Sequence, residues 1–163
     1  MKFYFRLAFA VALLGLYAAP ASAQYMFLDA NGDGLYDAAT DKLNPNGTPT
    51  TVDVYLITDK NRDGSTAVCD ADGTSPLNMN SYVINLLAAG GTVTYSSFIN
   101  QMGPDFGINF LEINTGDGGY KNGFANGSTS VLAGKYKIAT ITITGNTGAP
   151  SINIVDQIPA SSD

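Results

Sequence analysis

The chain contains no histidine and no tryptophan, and Cys69 is the single cysteine in its 163 residues. Histidine is the commonest general acid or base and the usual partner of a serine or cysteine nucleophile. Its absence argues against hydrolytic triads and against zinc sites. A single cysteine excludes an intrachain disulfide. We therefore predict a protein that is not an enzyme and needs another means of stabilising its loops.

Long apolar runs are missing beyond the first 23 residues. The chain begins with Lys2 and Arg6, continues with an apolar stretch over residues 7–19, and reaches Ala23 after other small residues. This order predicts a secretory signal peptide over residues 1–23, followed by one domain over residues 24–163. The stretch is too short to span a bilayer, so we expect export to the cell surface or the extracellular space and no membrane insertion after cleavage.

Positive charge is scarce, because 8 Lys and Arg face 14 Asp and Glu, for a net charge of −6. An acidic chain repels nucleic-acid phosphates, so we predict no nucleic-acid partner. Thirteen of the 14 acids are Asp, and nine of these lie within residues 29–72. Short carboxylates in loops rich in Gly and Asn are the oxygen ligands that calcium prefers. The acidity therefore suggests metal ligands.

Short apolar runs separated by turn residues predict an all-β fold, an antiparallel two-sheet sandwich with at most one short helix. One stretch, residues 52–57, places Val52, Val54 and Leu56 on one face, as expected for a strand with one buried side. A change of phase after Ile138 predicts a β-bulge near Ala139. We predict strands at residues 25–28, 51–58, 81–88, 92–98, 108–113, 135–144 and 151–155.

Two connections and one helix complete the predicted fold. Residues 89–91 predict a hairpin connection, and residues 145–150 predict a second turn between strands. The helix is predicted over residues 36–43, where apolar side chains recur at spacings of three and four. A helix of two turns needs packing or a bound metal to be stable.

The first acidic loop carries the sequence Asp-x-Asn-x-Asp-Gly at residues 29–34. In loops of the EF-hand type, alternate side-chain oxygens converge on one ion, and Gly permits the sharp turn. The seventh position supplies a backbone carbonyl, and a distal carboxylate completes the coordination. Position twelve is Thr40, so closure needs either a slightly longer loop that ends at Asp41 or a carboxylate from elsewhere in the chain. We predict the ligands Asp29, Asn31, Asp33, Leu35, Asp37 and Asp41.

A second loop repeats the same order at residues 59–64, thirty residues later. Here Asp70 falls on position twelve, so the second loop matches the pattern better than the first. Each loop follows an apolar run, from which we expect the two loops to lie side by side. The alternative is that both loops are ordinary polar turns. We predict the ligands Asp59, Asn61, Asp63, Ser65 and Asp70.

These loops resemble those of dockerins and of thrombospondin type 3 repeats, although a predicted strand separates them here. The segments 81–87 and 134–142 are similar to bacterial cohesin-like sandwich modules, which have an immunoglobulin-like arrangement. That resemblance implies extracellular recognition or scaffolding and brings no catalytic residues to this chain.

Composition and resemblance together predict a secreted, calcium-binding structural or interaction protein, such as a filament or surface-layer subunit. Its partners would be other extracellular proteins or copies of itself, joined by strand addition at a free sheet edge. The alternative is a carbohydrate-binding or cohesin-type recognition module. A glycan platform would use exposed tyrosines, and the candidates are Tyr55, Tyr82, Tyr95, Tyr120 and Tyr136.

Overall fold

A computed structural model describes residues 24–69, 72–115, 118–127 and 130–155. The predicted signal peptide lies outside these residues. A short 3-10 turn occupies Gly103–Phe106. Six strands make up the rest of the regular structure: β1 (Tyr25–Asp29), β2 (Pro49–Ile57), β3 (Ser81–Asn100), β4 (Ile108–Asn114), β5 (Gly119–Ala125) and β6 (Lys135–Ile154).

All six strands belong to one antiparallel sheet with the order β1-β2-β6-β3-β5-β4. The predicted all-β class is therefore confirmed. The sheet folds over on itself, because Tyr82 near the start of β3 donates a hydrogen bond of 2.9 Å to Asn100 at its end. Phe98 of β3 also stacks on Phe124 of β5, with ring centroids 5.4 Å apart. The fold is therefore one continuous, sandwich-like sheet folded into two layers, and the two separate sheets of the prediction are not seen among the described residues.

β3 and β6 pass from one layer to the other, and glycines permit the bend. The β3–β6 pairing shifts register between Ala89 and Gly91. A Cβ at Gly91 would collide with the carbonyl oxygen of Thr147, and Gly148 has φ +74°. Residues 89–91 and 145–150 are therefore bends inside long strands, and the predicted connections at these two places are wrong. The strands predicted at residues 81–88 and 92–98 are joined in β3, and those predicted at residues 135–144 and 151–155 are joined in β6.

The predicted inward face of β2 and the predicted bulge are both confirmed. Val52, Val54 and Leu56 are buried in the core. Val54 pairs with Ala139 and Tyr55 with Lys137, which leaves Ile138 as the extra residue. Ile138 and Ala139 are consecutive and both fully buried, which an unbroken strand would not allow.

β5 was not predicted, because its sequence Gly-Tyr-Lys-Asn-Gly-Phe-Ala is poor in strand-forming residues. It lies between β3 and β4, and its glycine at position 123 has a packing role. A Cβ there would stand 2.9 Å from the ring of Phe110, so the ring of β4 covers the backbone of β5. Tertiary packing therefore overrides the weak local preference.

The predicted helix at residues 36–43 is wrong. The segment forms a single turn, in which Asp41 N–H donates to the Asp37 carbonyl at 2.8 Å and the Asp37 side chain accepts from Ala39 N–H. Asp side chains compete with helical hydrogen bonds in this way. The turn leaves Asp41 free to fold back over the start of the first acidic loop.

Candidate metal site

Loop 1, residues 29–41, begins at the last residue of β1. Asp29 is only 1% exposed, and its two carboxylate oxygens accept hydrogen bonds from Gly32 N–H at 2.6 Å and Gly34 N–H at 2.7 Å. Gly34 has φ +75°, which a glycine adopts without strain. The two hydrogen bonds to the buried Asp29 carboxylate therefore fix the turn that follows it.

Asn31 and Asp33 continue this arrangement along loop 1. The Asn31 side-chain oxygen accepts from Asp33 N–H at 2.9 Å, and Asp33 accepts from Leu35 N–H at 2.7 Å. The Asn31 amide nitrogen lies 3.0 Å from the other Asp33 oxygen and 3.1 Å from Thr40 Oγ1. An amide N–H₂ group thus stands between two oxygens and would have to turn away before a cation could occupy that position.

Asp41 closes loop 1 one residue later than the usual twelfth position. One of its oxygens accepts from Ala30 N–H at 2.9 Å, and the other accepts from Asp37 N–H at 2.8 Å. The carboxylate therefore bridges the second and ninth positions of the loop. The structure links Asn31 directly to Asp33, whereas Asp29 and Asp41 each bond to backbone N–H groups of the loop. The Asp37 side chain bonds locally to Ala39.

Lys135 of β6 was missed by sequence analysis, because it lies about a hundred residues from loop 1 in the chain. Its ammonium group donates to the Gly34 carbonyl and lies 5.5 Å from the Phe27 ring centroid and 4.9 Å from that of Tyr55. The only available signal was the outward position of Lys135 on a strand that pairs with β2. Lys135 ties loop 1 to the outer face of the sheet.

Loop 2, residues 59–70, has the same spacing and a different structure. It closes as a hairpin, in which Ala67 N–H donates to the Asp59 carbonyl at 3.0 Å and Asn61 N–H donates to the Ser65 carbonyl at 2.9 Å. Asp63 accepts hydrogen bonds from the Ser65 hydroxyl at 2.6 Å and from Ser65 N–H at 2.9 Å. These bonds hold the pKa of Asp63 below its ordinary value.

Asn61 is the most informative residue of loop 2. Its amide nitrogen donates to Ser65 Oγ at 2.9 Å, while its buried side-chain oxygen accepts no hydrogen bond within the described part of the chain. A buried acceptor without a donor costs free energy and is a position where a cation or a water would be stabilising. Asp70, the predicted closing ligand, lies outside the described residues.

The expectation that the two loops lie side by side is wrong. β1 and β2 are antiparallel, so Asp29 pairs with Asp53 and Tyr25 pairs with Ile57. Loop 1 therefore leaves one end of this strand pair and loop 2 leaves the other. Any two metal sites would be separate rather than one paired site.

The tyrosines that could have formed a glycan platform are mostly structural. Tyr82, Tyr95 and Tyr120 are buried in the core, and burial raises the pKa of each hydroxyl. Tyr82 donates to Asn100 and Tyr95 donates to the Gly118 carbonyl at 2.9 Å. These three rings are not available to stack on a sugar.

Over residues 24–69, 72–115, 118–127 and 130–155, no group of three or more Asp, Glu or Cys side chains converges closely enough to hold a metal ion. In loop 1 the carboxylate oxygens point instead at backbone N–H groups. The donor set itself consists of the hard oxygens that calcium requires. Loop 1 therefore has suitable chemistry, and binding would need its side chains to draw together.

The fold and the two loops describe a small, sandwich-like all-β protein with acidic turns. No family model, curated protein or solved structure matches the chain. The resemblance to cohesins and dockerins therefore remains a prediction from short motifs. Among the described residues, no helix has the length and apolar character needed to cross a membrane.

Proposed function

We propose that this chain is an exported, non-catalytic, calcium-binding protein that acts in structure or recognition outside the cell, with loop 1 as its principal calcium site. The observation that carries the proposal is the Asp41 carboxylate, which folds back to accept hydrogen bonds from Ala30 N–H and Asp37 N–H and so lies at the start of the loop, next to the residue that follows Asp29. Sequence spacing alone left this closure open.

The ligands in loop 1 would be the carboxylates of Asp29, Asp33 and Asp41, the side-chain oxygen of Asn31 and the backbone carbonyl of Leu35. Rotation of the Asn31 amide would replace its N–H₂ group by its oxygen between Asp33 and Thr40. Calcium would supply the positive charge that offsets repulsion among these carboxylates.

Loop 2 is proposed as a second, weaker site. The buried Asn61 oxygen supports it, because a cation would give that atom a partner. Its hairpin hydrogen bonds compete with metal binding, since Asp63 already accepts two bonds from Ser65. We therefore expect loop 1 to bind calcium more tightly.

A structural or interaction role is supported by the edge strand β4. Ile108, Phe110 and Ile113 are each about half exposed on this strand, at 52%, 52% and 45%. β4 contains neither Lys nor Pro, the residues that commonly protect an edge from pairing with another chain. Such an edge favours contacts with other extracellular proteins or with copies of the chain.

Titration calorimetry with calcium on the chain from Gln24 onward, alongside thermal melts, tests the proposal. We expect saturable binding at millimolar affinity or tighter and a higher melting temperature with calcium. Asp41→Asn keeps the shape of the side chain and removes its charge, so it should weaken binding at least about tenfold. The control Asp105→Asn, in the 3-10 turn, should bind like the wild type. Absence of both binding heat and a melting shift in the wild type would contradict the proposal.

A further inference from the structure

The sheet is open along one side. β1 is the first strand of the order, and β2 is the one strand that pairs with it among the residues that the structure describes. The pairing of β6 with β2 stops at Thr144, and Asn46 and Gly47 reach only the carbonyls of Gly148 and Gly145. Residues 149–154 of β6 pair only with β3 in the described part of the chain. Two strand edges therefore carry backbone N–H and C=O groups without a neighbouring strand.

These two edges face each other across a cavity of about 480 Å³. Its lining includes four consecutive residues of β1, 25–28, and three consecutive residues of β6, 152–154. Successive side chains of a strand point to opposite faces, so a cavity lined by consecutive residues lies along the edges and not over a face. We call this cavity and its extensions the seam.

The seam continues past both ends of this cavity. A space of about 380 Å³ adjoins Leu28 and Ile152, and one of about 340 Å³ adjoins Tyr25 and Ile154. Its inner wall is apolar, because Met26, Leu28, Ile152 and Ile154 pack against the core. A gap lined in this way, with an apolar floor and two backbone edges, suits an extended segment of polypeptide.

Arg62 gives the seam a charge preference. Its guanidinium lies 5.5 Å from the Tyr25 ring centroid and lines two of the three spaces. Among the described residues, the one ion pair joins Lys137 to Asp53, so no carboxylate neutralises Arg62 there. The chain carries a net charge of −6. A cationic group at the seam of an acidic protein favours an acidic residue on whatever enters.

We propose that the seam binds an extended peptide strand from another protein chain, with apolar side chains at alternate positions and an acidic residue opposite Arg62. Only a peptide backbone offers alternating donors and acceptors on both sides, which two facing strand edges require. Alternate apolar side chains would cover Met26 and Ile152, and an acid would pair with the guanidinium. The proposal is independent of calcium binding.

Fluorescence anisotropy with a labelled eight-residue peptide of alternating Ile and Thr, ending in Asp, tests the proposal on the chain from Gln24 onward. We expect saturable binding. A peptide with methyl groups on alternate backbone nitrogens should bind at least about tenfold more weakly, since it cannot pair with a strand edge. Equal binding of both peptides, or no binding of the first, would overturn the proposal.

The charge preference is tested by a double-mutant cycle. Arg62→Gln should weaken binding of the Asp peptide about threefold to tenfold and leave an Asn-ended peptide unaffected, whereas the control Lys60→Gln should change neither. Melting curves of both variants should match the wild type, which separates binding from folding. Binding that appears only after removal of residues 156–163 would assign the seam to the chain's own tail and overturn the proposal.

Discussion

Loops 1 and 2 share the spacing Asp-x-Asn-x-Asp-Gly, but they differ in the burial and the hydrogen-bond partners of their Asp residues. In loop 1 the first Asp is buried and holds two backbone N–H groups, and Asp41 returns to the start of the loop. In loop 2 the backbone pairs with itself across Asp59 and Ala67. The difference shows that this motif determines the local turn, whereas the chain beyond it determines whether a later carboxylate folds back to the start of the loop.

The different positions of loops 1 and 2 relative to the sheet explain the contrast between them. Asp29 is the last residue of β1 and lies beside Asp53 of β2, under a loop held down by Lys135. Asp59 follows the end of β2 in an exposed hairpin, and its carboxylate accepts no hydrogen bond from the described residues. Equal sequence spacing thus produces an anchored loop at one end of the strand pair and an ordinary hairpin at the other.

The largest expected contrast is between Asp29→Ala and Asp59→Ala. Asp29→Ala removes a buried carboxylate that accepts two charge-assisted hydrogen bonds, so it should lower the free energy of unfolding by about 2–4 kcal/mol. Asp59→Ala should cost less than about 1 kcal/mol. Urea denaturation without calcium measures both. Equal losses in the two variants would show that the loops are anchored alike.

Gly34 and Gly64, the sixth residues of loops 1 and 2, should respond alike to substitution, which sharpens the comparison between the two loops. Gly34 has φ +75° and Gly64 has φ +84°, and no backbone atom crowds either position. Gly34→Ala and Gly64→Ala should each lower the free energy of unfolding by about 1 kcal/mol, because an L side chain is strained there. Urea denaturation of both variants is the measurement. A much larger loss of stability in Gly34→Ala would show that the two loops differ in how strictly their backbones require glycine.

Lys135→Met should have a smaller effect that is confined to loop 1. It removes the hydrogen bond to Gly34 and the cation contacts with Phe27 and Tyr55, for a loss of about 0.5 kcal/mol because the Lys135 side chain is exposed. Lys60→Met, in loop 2, should be nearly neutral. Amide hydrogen exchange should show faster opening around Gly34 in the first variant alone. Unchanged exchange there would mean that Lys135 does not hold the loop.

The smallest effect concerns pH and belongs to loop 2. The pKa of Asp63 is lowered by its bonds to Ser65, so this stabilisation is present above the ordinary carboxyl pKa and is lost as pH falls through the lower folded value. Ser65→Ala should bring the Asp63 pKa back towards its ordinary value. An NMR titration of the Asp63 side chain measures this. An unchanged Asp63 pKa in this variant would show that the Ser65 hydroxyl does not lower it.

Local patterns predicted much of the fold. Alternation identified the buried face of β2, and a change of phase placed a bulge near Ala139, next to the extra residue Ile138, because both depend on neighbouring residues alone. β5 escaped prediction because its stability comes from neighbours on both sides and from the Phe110 ring over Gly123. The continuity of β3 through Gly90 and Gly91 likewise depends on a distant partner segment.

The grouping of the first residues of loop 1 was predictable from the sequence. The spacing identified Asp29, Asn31 and Asp33 as one group, since their mutual geometry is set within a six-residue turn. The return of Asp41 depends on a turn at Asp37 that replaced the predicted helix. The contact of Lys135 depends on the pairing of β6 with β2, which no local pattern reveals.

The passage of β3 and β6 through both layers has a consequence for how the chain folds. Their paired residues are 39 positions apart at Asn100 and Ala139 and 68 apart at Leu86 and Ile154. Contacts between such distant segments must form before either layer is complete, so we expect one cooperative transition and folding in milliseconds to seconds. Throughout that interval the open edges of β1, β4 and β6 are exposed, and the net charge of −6 would keep unfolded copies apart.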